Sequence, residues 1–179
     1  MQYHVRIYGD PILREKSVPV AEIDEEIVQL AEDMVVTMRD NNGAGLAAQQ
    51  IGRTERICII DITDEVTEDD DVDEHLEMPL VLINPEIVER EGEQIGQEGC
   101  LSFPEVFINV ARSEKVTVVF KNLEGEDQRI TVRGLVARAV QHELDHLDGV
   151  LLVDHMTPVQ KVSVAGKLKR MKKKALRQD

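Results

Sequence analysis

The chain has 179 residues, 42% of them hydrophobic, which is enough for one domain with a sizeable core and too many for whole-chain disorder. Its net charge of −14 is uneven: residues 161–179 carry +7 and the rest −21, so the acidic body disfavours general binding to nucleic acid, DNA included, while the basic tail suits an anionic partner. No apolar run approaches membrane-spanning length and the first twenty residues fit neither a secretory nor an organellar targeting pattern, so a cytoplasmic protein off the membrane is expected.

After the loop YGDPILREKSVPV, residues 24–40 read as an amphipathic helix. Asp24 is its N-cap, Glu25 and Glu26 fall in the first turn, and Ile27, Leu30, Ala31, Met34, Val35 and Met38 keep helical spacing. NNGAGLAAQQ ends it, with Gly43 and Gly45 freeing the backbone for tight conformations. RICIIDI follows as a strand with Cys58 in the core. Residues 61–79 hold ten carboxylates and no Lys or Arg, a solvated acidic loop by self-repulsion. A calcium loop is the alternative there, although the glycine and ligand spacing of an EF-hand are missing.

Residues 80–83 and 86–96 read as strands around an NP turn. QEGCLSFP looks loop-like, and KVTVVFKNLEGEDQRITVRG is a hairpin with alternating residues on both sides of LEGED. Residues 133–148 form a helix with Leu135, Val136, Ala139, Val140, Leu144 and Leu147 on its apolar faces. The segment 158–179 is a basic C-terminal helix with Val162, Val164, Ala165, Leu168 and Met171 on one side. Residues 1–179 are expected to make a single domain, with no internal repeat.

The helix 133–148 carries QHELDHLDGV, with His142, Glu143 and His146 in the order His-Glu-x-x-His. Two histidines four apart share one helical face and can ligate one metal, while the glutamate beside the first handles protons. A third ligand is then required. No glutamate follows Glu143, and the extended pattern ending in a third histidine meets Leu152 at that place, with His155 out of register. Upstream, His4 and His75 read as ordinary surface histidines. Cys100 is the better candidate, because two imidazoles and one thiolate leave a tetrahedral position open for water. A disulfide between Cys58 and Cys100 is the alternative, disfavoured in a reducing compartment.

GAGLAAQQ (43–50), EGCLS (98–102) and QHELDH (141–146) together resemble the three motifs of the peptide deformylases, in the same order and spacing. The acidic loop and the basic tail are the less familiar parts. The resemblance implies an α+β fold of mixed, mostly antiparallel strands packed around a central metal-binding helix, with a C-terminal helix. It implies a hydrolase of protein biosynthesis that removes the formyl group from the N-terminal formylmethionine of new polypeptides and releases formate. Cys100, His142 and His146 would hold one divalent ion. Zinc is the generic expectation for that donor set, whereas the resemblance implies Fe2+, with Zn2+, Ni2+ or Co2+ as substitutes.

Glu143 would act as the proton carrier, and Gln50 and the Leu101 backbone N–H as donors to the oxyanion. Read alone, Gln50 is a polar residue ending a turn. Gly45 would let backbone approach the substrate, Glu98 would organise the site by hydrogen bonding, and Leu135 and Ala139 would line the methionine pocket with Arg138 at its mouth. Plain core positions are the alternative for Leu135 and Ala139. A non-catalytic metal-stabilised module fits less well, since a purely structural site needs neither Glu143 nor Gln50. An ordinary metallopeptidase is weakened by its missing ligands. The ribosome is the anionic partner that the basic tail suits under this resemblance.

Overall fold

A computed structural model describes residues 3–64 and 76–177. In chain order the elements are α1 (Glu25–Asp40), β1 (Gly45–Ala47), β2 (Ile57–Ile60), β3 (Leu80–Glu91), β4 (Gln94–Cys100), β5 (Phe103–Arg112), β6 (Lys115–Lys121), β7 (Asp127–Arg133), α2 (Gly134–Leu147) and α3 (Pro158–Ala175). Strands β1-β2-β3-β6-β7 form a five-stranded antiparallel sheet, and β4-β5 form a separate two-stranded one. The architecture is the α+β arrangement that the resemblance implies.

The sheet is covered on both faces, which explains the unbroken apolar run in β2. Cys58 and Ile60 face α2 in a cluster with Val136, Ala137, Val140, Leu144 and Leu147. Ile57 and Ile59 face α1, where Ile27, Leu30, Met34 and Met38 meet them. Alternating Cβ directions along the strand put both sets inside at once. Asp24 caps α1 by accepting from the Ile27 N–H at 3.0 Å. Among the described residues no helix is long and apolar enough to cross a membrane.

Three expectations need correction. Asn84-Pro85 is not a turn between strands but an irregularity inside β3: Asn84 takes φ 52°, the register shifts between Ile83 and Glu86, and its side chain pairs with the Val20 backbone in both directions at 2.8 Å. QEGCLSFP is not a loop, since Cys100 ends β4 and pairs with Phe103 across a tight corner. Strand β5 returns the chain with Val106, Ile108 and Val110 inward. On α3 the docked side is Val164, Leu168, Met171 and Ala175, while Val162 is 77% exposed. Most of the acidic segment, with His75 and the calcium-loop alternative, lies outside the described residues.

Candidate active site

Helix α2 brings His142 and Glu143 to the wall of a cavity of about 600 Å3. Its face toward β1 and β2 is apolar and keeps the helix buried, so His146 and Glu143 are only 2% and 4% exposed. Cys100 enters from the corner of the β4–β5 hairpin, and its Sγ lies 3.2 Å from His146 Nε2. The ligand atoms of Cys100, His142 and His146 all fall within 4.8 Å of one another. His4 is exposed, and neither cysteine is bridged.

The electrostatics suit a cation. Burial opposes a thiolate at Cys100, yet the neighbouring imidazoles of His146 and His142 hold its pKa at about 5. Glu98 Oε1 meets His142 Nδ1 at 2.8 Å, which leaves Nε2 of that ring for a ligand. Burial would raise the Glu98 pKa, but His142 and Arg112 hold it well below the usual carboxylate range. His146 Nδ1, by contrast, has no hydrogen-bond partner among the described residues. Two imidazole nitrogens and one thiolate are the donors a borderline divalent ion takes, so the residues present fit a metal.

Glu143 stands over this cluster. Its Oε2 is buried with no partner among the described residues, and burial pushes its carboxyl up to about 7. Gly45 passes directly against it, for an added Cβ would overlap Glu143 Oε1. Neither Gly43 nor Gly45 adopts a left-handed conformation. Both glycines are needed for room rather than for an unusual backbone conformation.

Gln50 sits in the short turn after β1, 1% exposed. Its Oε1 accepts from the Ala47 N–H at 2.9 Å, which fixes the amide. The Nε2 then donates to Ser102 Oγ at 3.1 Å and approaches Cys100 Sγ at 3.5 Å. Leu101, Leu135 and Ala139 line the same cavity. Arg138 lines this cavity too, but its guanidinium does not reach out to the mouth. It is 7% exposed, and its guanidinium turns inward to Glu98 Oε2 at 2.7 Å.

The sequence reading missed Ser102, Arg112, Asp145 and Phe107. Arg112 grips Glu98 through Nε at 3.0 Å and NH2 at 2.9 Å, and reaches Asp145 at 2.5 Å. Phe107, 63% exposed, lies on the cavity rim over Gly99.

A buried His-Glu-x-x-His helix, a thiolate delivered by a hairpin and an open cavity define a metal-dependent hydrolase. A family model described as polypeptide deformylase matches residues 2–162, and the chain belongs to that family. A curated peptide deformylase of Alkalilimnicola ehrlichii is 42% identical over 167 residues, 93% of this chain and 89% of that protein. One of Caldanaerobacter subterraneus is 48% identical over 151 residues, 84% of this chain and 87% of that protein. The crystal structure of a peptide deformylase from Legionella pneumophila matches with a TM-score of 0.84 at 37% identity, over 100% of both chains.

Proposed function

We propose that this chain removes the formyl group from formylmethionine at the start of new polypeptides, with Cys100, His142 and His146 holding one divalent ion and Glu143 moving the proton. The observation that carries the reading is Glu143 itself: a buried carboxyl whose Oε2 has no partner among the described residues, beside the Cys100, His142 and His146 cluster. A bound cation in such a site acidifies a water molecule and polarises a carbonyl.

Glu143 takes the proton from the attacking water at its free oxygen and returns it to the departing amine, for which a pKa near the working pH is suitable. The formyl oxygen gains charge as its carbon becomes tetrahedral. Gln50 has two N–H groups; one is held by Ser102, and among the described residues the other makes only the long contact to sulfur. Turning that second N–H toward the oxyanion loses little, and the Leu101 backbone N–H is the proposed companion donor. Leu135 and Ala139, half-buried on the cavity wall, offer an apolar surface to the methionine side chain.

The family relation supports Fe2+ as the working ion, with Zn2+, Ni2+ or Co2+ able to take its place. It also supports a cytoplasmic site of action and one folded domain over 1–179. The lysines of α3 are proposed as a contact with ribosomal RNA, since Lys169, Lys173 and Lys174 are all exposed. Formate release from formyl-Met-Ala-Ser, run beside endopeptidase and aminopeptidase assays, tests the central reading. Peptide-bond cleavage without formate release refutes it.

A further inference from the structure

We infer that Arg138, working with Arg112, is a positioning residue that docks the cysteine-bearing hairpin onto the histidine-bearing helix and so sets the geometry of the ligand set. The inference rests on the metal site proposed above.

The three ligands stand on two separate bodies. Cys100 ends β4, whereas His142 and His146 belong to α2. The β4–β5 hairpin shares no ladder with the five-stranded sheet, and among the described residues no backbone hydrogen bond joins it to α2. Its spacing from α2 is therefore left to side chains.

Arg138 lies one turn before His142 and ties α2 to both strands of the hairpin. Its NH1 donates to Glu98 Oε2 at 2.7 Å, to the Val110 carbonyl at 3.0 Å and to the Gly96 carbonyl at 3.3 Å. Its NH2 donates to Gln94 Oε1 at 3.3 Å. Gly96 leaves room for this approach, because a Cβ there would stand 2.9 Å from NH2. Arg112 closes the ring from β5 by holding Glu98 on the hairpin and Asp145 on α2. His155 braces Asp145 from behind at 2.8 Å.

Glu98 sits between the two guanidiniums and passes its orientation to His142. All three charged side chains are at most 7% exposed. A buried ion network is weak evidence for stability, since well-packed apolar replacements are often neutral. What this one fixes is the distance between two ligand-bearing elements.

The test uses the Co2+-loaded full chain, because cobalt reports its ligands through thiolate charge-transfer and ligand-field bands. Arg138→Met keeps the volume, and Glu98 stays paired with Arg112. Cys58→Ala, a core change remote from the hairpin, is the control for lost stability. All proteins are compared at a temperature where circular dichroism shows them folded. Arg138→Met is expected to shift the ligand-field bands and to release cobalt to a chelator about 10–100-fold faster. It should also lower kcat with little change in KM.

Arg138→Lys, which keeps the charge but not the fork, should fall between, and it decides the matter if the Met variant does not fold. Wild-type release with unchanged bands in the folded variants overturns the inference. A raised KM with unchanged kcat and release does so as well, and returns Arg138 to the substrate pocket. If the wild type itself shows no thiolate band, the metal assignment fails and takes the clamp with it.

Discussion

Gly45→Ala adds one methyl group at the most crowded point of the cavity. The new Cβ would overlap Glu143 Oε1 and stand 2.7 Å from Cδ and 3.0 Å from Cγ of the same side chain. Cβ atoms do not occupy such distances, so the carboxyl must swing aside. Glu143 is 4% exposed and packed on helix α2, so its escape is into a poorer rotamer, costing about 0.5–1.5 kcal/mol. Strain in the surroundings brings the total to about 1–3 kcal/mol of stability. The kinetic effect is larger than the thermodynamic one, because a misplacement of about 1 Å in a reacting group costs about 100-fold. The three atoms nearest the new Cβ all belong to Glu143, so metal content should stay at the wild-type level. The assay is formate release with saturating formyl-Met-Ala-Ser on metal-matched protein, beside a denaturant melt. A kcat within about threefold of wild type, with the fold intact, would refute the placement of Glu143 as proton carrier.

Glu143→Ala should keep metal and fold while losing about 10²–10⁴-fold in kcat, measured on the same peptide with metal content checked by elemental analysis. Cys100→Ala should lose chelator-resistant metal, whereas Cys58→Ala, buried in the core on β2, should keep it; full occupancy in the first would remove the thiolate from the site. Truncating α3 is a poor test of the tail, because Met171 and Ala175 belong to the core. The triple change Lys169→Gln, Lys173→Gln, Lys174→Gln removes exposed charge alone. It should weaken ribosome co-sedimentation at low salt and leave turnover of a short formyl peptide unchanged; equal sedimentation at low and high salt would dismiss an electrostatic contact.

The elements legible in the sequence were those with a clean period. Ile27 to Met38, the run at 57–60 and Val136 to Leu147 each announce a buried face, and the structure buries them. The β4–β5 hairpin was obscured because Gly96, Gly99 and the glutamines of β4 resemble a loop. Its partner β5 carried a usable signal: Val106, Ile108 and Val110 share one parity, and Arg112 continues it. An arginine on an inward parity asks for a buried acid, and Glu98 supplies it. The ligand trio was accessible by elimination, since alternatives ran out one by one. Arg138 stands one turn before His142 on α2, but the direction of its long side chain depends on the β4–β5 hairpin, which the sequence does not reveal. Gly45 is legible as a point of close approach, but only packing shows that its neighbour is Glu143.

One core cluster is assembled from distant parts of the chain. It joins Ile7 and Leu13 to Met171 and Ala175, with Phe103, Val106 and Ile108 between them. Closing so long a loop is entropically costly, so these contacts should form after the folding barrier has been crossed. Conservative truncations such as Met171→Ala should then leave the refolding rate nearly unchanged and speed unfolding instead. During synthesis the consequence is a matter of timing. The underside of the hairpin that delivers Cys100 stays without its cover until residues 171–175 have left the ribosome, so the ligand set is among the last parts of the molecule to become rigid.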